Sequence, residues 1–193
     1  MRIGIYGGSF NPPHNMHLYI ANELINKNYV DKVIFVPTGN KYNKDNLIDA
    51  KERLQMLKIM INNFPNMYVS SYEFKDSQVH TYQTLDYFKN KFLNDEIYFI
   101  CGIDNLNYIN EWAKGYYILE NYKILVIGRD NMKSQINSKN VLITNISENN
   151  ISSSFIREKI KNNESVEDYI DTNVLKYIKE RNLYERGCWI IKK

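Results

Sequence analysis

Gly7-Gly8-Ser9-Phe10-Asn11-Pro12-Pro13-His14-Asn15-Met16-His17-Leu18 is the stretch on which the reading of this chain turns. An apolar, strand-like run, Arg2-Ile3-Gly4-Ile5-Tyr6, precedes it, and a helical pattern, Leu18-Tyr19-Ile20-Ala21-Asn22-Glu23-Leu24-Ile25, follows. Glycines, prolines and histidines are thus gathered where a first strand turns into a first helix. Gly7 and Gly8 let a bulky ligand approach the backbone and permit positive φ. Pro12 and Pro13 stiffen the turn and fix the direction in which the chain leaves it. His14 and His17 share one face at the helix start and set their imidazoles beside the unsatisfied N–H groups of its first turn. A polyphosphate suits that arrangement, because the helix dipole and the open donors favour an anion and the imidazoles add hydrogen bonds. A glycine-rich turn with surface histidines would read similarly, but of the 3 histidines in the chain both of these fall in this one turn.

Outward from the turn, strands alternate with helices. Residues 32–36, 67–72, 97–101, 122–127 and 140–144 read as further strands, most of them near-continuous apolar runs. Asp49-Ala50-Lys51-Glu52 looks like a capping box opening a helix over 53–60, and the spacing of Leu85, Phe88 and Phe92 predicts another over 81–93. The last third, from about residue 151, reads as helical at 153–161 and 174–181. This order predicts an α/β fold: a Rossmann-like parallel sheet with helices on both faces and a helical C-terminal part, in one domain over residues 1–193. In such folds ligands bind beyond the carboxyl ends of the strands, which is where the turn lies.

A second constellation, Ile151-Ser152-Ser153-Ser154-Phe155-Ile156-Arg157, reads first as a helix N-cap. A cap and an anion site share the same parts, namely hydroxyls, exposed N–H groups and a positive dipole end. Arg157 stands one turn in, where its fork can reach a phosphate.

Composition bounds the rest. With 193 residues, 44% hydrophobic and 24% charged, the chain suits an ordinary globular enzyme domain. A formal net charge of +3 without a dense basic run fits an anionic small molecule rather than nucleic acid. Cys101 and Cys188 lie far apart without a C-x-x-C partner, so neither a disulfide framework nor a zinc site is expected. No long apolar stretch occurs at the N-terminus, and a cytoplasmic chain without a membrane span is expected. A homo-oligomer is compatible with all of this.

The first turn resembles the nucleotidyltransferase signature G-x-F-x-P-x-H-x-G-H. It is shared by mononucleotide adenylyltransferases, the pantetheine-phosphate enzyme and cytidylyltransferases, and more distantly by class I aminoacyl-tRNA synthetases. Residues 151–157 resemble the I-S-S-T-x-x-R signature of the same superfamily, with Ser154 in place of threonine. The resemblance implies that Gly7, Gly8, Ser9, Phe10, His14, His17, Ser153, Ser154 and Arg157 bind ATP, with His14, His17 and Arg157 catalytic. Met16 stands where the family has glycine. Either its side chain points away from the pocket, or the adenine sits differently, or nucleotide affinity is lower.

The middle of the chain is similar to bacterial-type nicotinate-mononucleotide adenylyltransferases, in which a G-x-D is followed at this distance by tryptophan. Here these are Gly102-Ile103-Asp104 and Trp112. The implied roles are a nucleotide contact for Asp104 and stacking of Trp112 on the pyridine ring, although a tryptophan serving only as core would look alike. An N-ribosylated pyridine is a flat cation, for which indole is the best aromatic partner. Thr81 falls on the family threonine that holds the nicotinate carboxylate, and Arg129 on an arginine that neutralises mononucleotide phosphate. Arg53-Leu54-Gln55-Met56-Leu57 and the terminal Tyr177–Tyr184 segment match as well. The loop 40–48 lacks the family's Pro-Pro-His-Lys, leaving Lys41 and Lys44 as weaker correspondences.

The resemblance thus implies ATP + nicotinate mononucleotide → deamido-NAD + pyrophosphate, a step of NAD biosynthesis, with Mg²⁺ bound through the ATP phosphates and few protein ligands. Two alternatives share some of these residues. One is another adenylyl- or cytidylyltransferase of the pantetheine-phosphate type, which lacks the Asp104…Trp112 pair. The other is a non-catalytic nucleotide-binding relative.

Overall fold

The alternating apolar runs assemble into a six-stranded sheet in a computed structural model that describes residues 1–129, 132–148 and 151–185. The strands are β1 (Arg2–Gly8), β2 (Lys32–Pro37), β3 (Met67–Val69), β4 (Glu96–Gly102), β5 (Lys123–Arg129) and β6 (Val141–Glu148). Their order is β3-β2-β1-β4-β5-β6 and every pairing is parallel. Because successive side chains point to opposite faces of a strand, the inner strands feed two cores. Val33, Phe35, Tyr98, Ile100, Leu125 and Ile127 enter one; Ile34, Val36, Ile97, Phe99, Ile124 and Val126 enter the other.

Helices cover both faces, as the alternation predicts. α1 (Asn15–Asn26), α2 (Ala50–Met60), α6 (Ser153–Lys161) and α7 (Thr172–Glu180) close the first core with Ile20, Leu24, Met56, Leu57, Ile156, Val174 and Ile178. α3 (Thr81–Lys91), α4 (Ile103–Asn107) and α5 (Gly115–Asn121) close the second with Leu85, Phe88, Ile103, Leu106 and Ile118. Among the described residues no helix is long and apolar enough to cross a membrane.

The differences from the sequence reading are local. α1 starts at Asn15 rather than Leu18, so His14 becomes its N-cap residue and His17 lies in its first turn. β3 ends at Val69, because residues 70–80 leave the sheet edge for a loop that returns Glu73 and Val79 to the interior. The short α4, a 3-10 turn at Ile109–Glu111 and α5 replace what periodicity left unassigned between β4 and β5. Elements of 3 to 7 residues are too short to show a 3.6-residue period. The topology matters for function through β1 and β4, which are neighbours from which the chain winds in opposite directions. Their carboxyl ends open a crevice.

Candidate active site

The crevice is a cleft of about 640 Å³. Gly7, Gly8, Ser9, Phe10, His14, His17, Thr81, Asp104, Trp112, Arg129, Ser153, Ser154 and Arg157 all line it, so residues from distant parts of the sequence meet in one place. Lys44 lines it too, whereas Lys41 does not. Cys188 lies outside the described residues.

The floor is the end of β1. A Cβ on Gly7 would meet nothing within 4 Å, so glycine here leaves the cleft open for a ligand. Neither Gly7 nor Gly8 uses the left-handed backbone region that their type permits. That conformation falls on Phe10, with φ of 45°. Phe10 is buried and packs edge-on against Tyr6, Phe35 and the His17 imidazole, which anchors the turn from below.

His14 and His17 stack with ring centroids 3.7 Å apart. The His14 backbone N–H donates to His17 Nδ1 at 3.2 Å, which leaves Nε2 as the protonated nitrogen of the neutral ring. Burial pushes His14 down to about 4. His17 is held well below its ordinary value by burial and then by the neighbouring His14. Both rings are therefore neutral at pH 7 and act as hydrogen-bonding groups rather than cations. Among the described residues His14 Nδ1 is buried without a hydrogen-bond partner, a group that a ligand in the cleft can satisfy. The expectation of open N–H groups on α1 needs correction, because that of Asn15 donates to Tyr169 O and that of His17 to His14 O, both at 2.9 Å. What this turn offers an anion thus comes more from the imidazoles than from the helix end.

α6 brings the second constellation to the same spot. Ser152, its N-cap, accepts from Phe155 N–H at 3.2 Å, the plain capping role expected of one serine. Ser153 Oγ donates to Pro12 O at 2.8 Å, clamping α6 to the first turn. Arg157 Nη1 donates to Asn11 O at 2.8 Å and Nη2 to Ser154 Oγ at 3.1 Å, so the guanidinium is held in the cleft lining with no carboxylate partner among the described residues. Lys44 Nζ reaches Ser9 Oγ at 3.3 Å, and its pKa is lowered by burial, then by Arg157 and Arg53. This end of the cleft gathers Lys44, Arg157, hydroxyls and imidazoles, and Glu73 lines the same cleft within electrostatic reach of Arg53.

At the other end α3 begins with Thr81 and the 3-10 turn delivers Trp112. The indole is half-buried and packs edge-on against Phe99 at 6.1 Å, which leaves a ring face for another partner. Asp104, in the first turn of α4, pairs with Arg129 at the end of β5 across 3.8 Å, both side chains nearly half exposed.

Arg53, behind the first turn, and Glu73, in the cleft lining, were given no site role from the sequence. Arg53, wholly buried, donates to Ser9 O, Ile48 O, Thr38 O and Thr38 Oγ1 at 2.6–3.2 Å, and so braces the phosphate turn against β2. Burial pushes it down to about 10, still charged at neutral pH. The signal was present: Arg53, Met56, Leu57 and Met60 form the buried stripe of α2, an arginine at a core position. Glu73 lines the cleft from a loop, accepts from Thr84 Oγ1 at 2.7 Å, and is pushed up to about 7 by burial. Met16 is buried in the first core while still bordering the cleft, which favours the placement with its side chain directed away from the pocket.

Residues 5–159 match the cytidylyltransferase-like family. The probable nicotinate-nucleotide adenylyltransferase of Clostridium botulinum (strain Alaska E43 / Type E3) is 37% identical over 95% of this chain and 98% of its own length. The nicotinate-nucleotide adenylyltransferase of Bacillus subtilis (strain 168) is 31% identical over 95% and 98%. Among solved structures, Plasmodium falciparum nicotinic acid mononucleotide adenylyltransferase complexed with NaAD superposes with a TM-score of 0.82 at 26% identity, covering 95% of this chain and 97% of that one. The match runs through both constellations and nearly the whole chain: this protein belongs to the cytidylyltransferase-like family and, within it, to the nicotinate-nucleotide adenylyltransferases.

Proposed function

We propose that the chain transfers the adenylyl group of ATP to nicotinate mononucleotide, giving deamido-NAD and pyrophosphate. One observation carries the reading. A single cleft joins an end lined by imidazoles, hydroxyls and a guanidinium (His14, His17, Ser153, Ser154, Arg157) to an end holding a half-buried indole, a threonine at a helix start and the Asp104–Arg129 pair.

The mononucleotide phosphate, already ionised, attacks the α-phosphorus of ATP in line, and the bond to the pyrophosphate oxygen breaks. No protein nucleophile is needed, so the chain acts by positioning and by stabilising charge on the phosphoryl oxygens. Neutral His17 donates through Nε2, His14 lies against it, and Ser153, Ser154 and Arg157 hold the phosphates being released. Gly7, Gly8, Ser9 and Phe10 shape the floor under the nucleotide. Mg²⁺ fits this end as a passenger on ATP, since His14, His17, Ser153, Ser154 and Arg157 offer imidazoles, hydroxyls and a cation rather than carboxylates. Bound that way, it would neutralise charge on the phosphate oxygens.

Trp112 stacks on the cationic pyridine ring, Thr81 with the start of α3 receives the ring carboxylate, Asp104 contacts the nucleotide, and Arg129 offsets its phosphate. The test is kcat/KM for nicotinate against nicotinamide mononucleotide, in wild type and Thr81→Val. The acid is expected to be preferred, and the preference to shrink in the variant. Equal use of acid and amide by the wild type would overturn the assignment.

A further inference from the structure

The phosphate turn is fastened from below by the C-terminal end of the described chain. After α7, Tyr184 turns its ring into the first core, and its hydroxyl donates to Asn11 Oδ1 at 3.0 Å, across 173 positions of sequence. Both residues are sealed from solvent, 3% and 1% exposed. Asn11 Oδ1 also accepts from Ile48 N–H at 3.4 Å, and Nδ2 donates to Asn46 O at 2.7 Å, so the same carboxamide holds the loop that carries Lys44. Its backbone carbonyl is the acceptor that orients Arg157 Nη1. Asn11 therefore joins the first turn, the 40–48 loop, α6 and the C-terminal tail.

The backbone at both ends of this link is unusual. Phe10, immediately before Asn11, has φ of 45°, and Tyr184 itself has φ of 69°. Bulky residues keep the left-handed region only where their surroundings hold them there. Burial also raises the Tyr184 hydroxyl well above its ordinary value, so it stays a donor across the working pH range. Neither residue reaches the reacting atoms in the mechanism above.

We propose that Tyr184 and Asn11 are positioning residues for the ATP phosphates: the Tyr184 hydroxyl fixes the Asn11 carboxamide, which fixes the carbonyl that aims Arg157 and the loop that carries Lys44. The proposal rests on the reading of Arg157 as a phosphate ligand. It predicts a selective fault, because the mononucleotide end of the cleft shares none of these bonds.

Steady-state kinetics and thermal melts of the full-length enzyme test it, using Tyr184→Phe, Asn11→Ala, the double variant and Arg157→Ala as reference. Tyr184→Phe keeps the ring in the core and removes one hydrogen bond, so KM for ATP is expected to rise roughly 3–10-fold. KM for the mononucleotide and the Tm should stay near wild type. The double variant should be no worse than Asn11→Ala alone, since both act through one bond; if Asn11→Ala does not fold, Tyr184→Phe decides by itself. An unchanged KM for ATP in Tyr184→Phe, or equal rises in both KM values with a fallen Tm, would overturn the proposal. Failure is also separable: if Arg157→Ala raises KM for ATP and Tyr184→Phe does not, the positioning role alone falls. If Arg157→Ala changes nothing, the phosphate reading falls first.

Discussion

Glu73→Gln should uncover a proton that the folded protein carries inside its active site. The carboxyl is buried, and burial raises it from 4.5 to about 7, although the Thr84 hydroxyl and Arg53 both favour its ionised form. Between pH 7 and 4.5 the folded chain therefore holds a proton that the unfolded chain has released. This makes wild-type stability increase as pH falls through that window, by about 1.4 kcal/mol per pH unit and ~3 kcal/mol in all. His14 works in the opposite sense. Its folded value of about 4 lies below the ordinary 6.5, so the unfolded chain takes up a proton first and stability falls between pH 6.5 and 4 by a similar ~3 kcal/mol. The two slopes nearly cancel from pH 6.5 to 4.5, and the depressed His17 adds acid sensitivity of its own, as do lowered carboxyls such as Glu52.

Glutamine keeps the size of Glu73 and an oxygen to accept from Thr84, but cannot titrate. Urea unfolding of wild type and Glu73→Gln at pH 7.5, 6.5, 5.5 and 4.5 gives the difference in stability at each pH, in which every other titrating group cancels. At pH 7.5 the variant is expected to be at least as stable as wild type, because it removes a buried charge. Below pH 7 the wild type should gain on it by about 1.4 kcal/mol per pH unit. A difference that does not change with pH would show that Glu73 is ionised in the folded protein throughout, and the argument would fail.

Three further outcomes are expected. His17→Ala should lower kcat by roughly 10²–10³-fold, the usual loss for one donor to developing oxyanion charge, and near wild-type turnover would remove it from the mechanism. Trp112→Ala should weaken mononucleotide binding, read by calorimetry, by ~1–3 kcal/mol while sparing ATP; equal damage to both ligands would contradict the stacking role. Met16→Gly removes a buried side chain from the first turn of α1, so urea melts should show a loss of ~3 kcal/mol or more, with ATP affinity nearly unchanged. Markedly tighter ATP binding would instead mean that Met16 crowds the nucleotide.

Much of the molecule was legible because its signals are local. An apolar run ended by Gly7 and Gly8, then a helix opened by His14, fixes the first crossover whatever the rest of the chain does, and repetition of that unit fixes the parallel sheet. The cleft residues were equally readable where a short motif holds them, as at 14–17 and 151–157. Asn11 and Tyr184 were not, since no local rule foretells a hydrogen bond across 173 positions. Glu73 was hidden for a different reason: its loop has no period, so nothing in the sequence separates a carboxyl that turns inward from its exposed neighbours Asp76 and Lys75. Arg53 lay between these cases, at a position in the α2 stripe that predicts burial but carrying a side chain that argues against it.

That conflict at Arg53 bears on how the phosphate end is built. A buried guanidinium with only carbonyls and a hydroxyl for partners is costly unless something else justifies it. Here it braces Ser9, stands close enough to lower the pKa of Lys44, and meets Asp49 and Glu73 through space while no carboxylate among the described residues accepts its hydrogen bonds. Arg157 is likewise tied, among the described residues, to a carbonyl and a hydroxyl. Had either been neutralised by an aspartate, the turn would be more stable and the cleft less attractive to a polyphosphate. On the proposed mechanism the neutral histidines complete the division of work: positive charge is held by Arg53, Lys44 and Arg157 before ligand arrives, while His14 and His17 would supply directed hydrogen bonds without adding to the repulsion. A site arranged in this way needs little reorganisation as charge shifts onto departing pyrophosphate, which is the condition under which fixed dipoles and cations lower a barrier most.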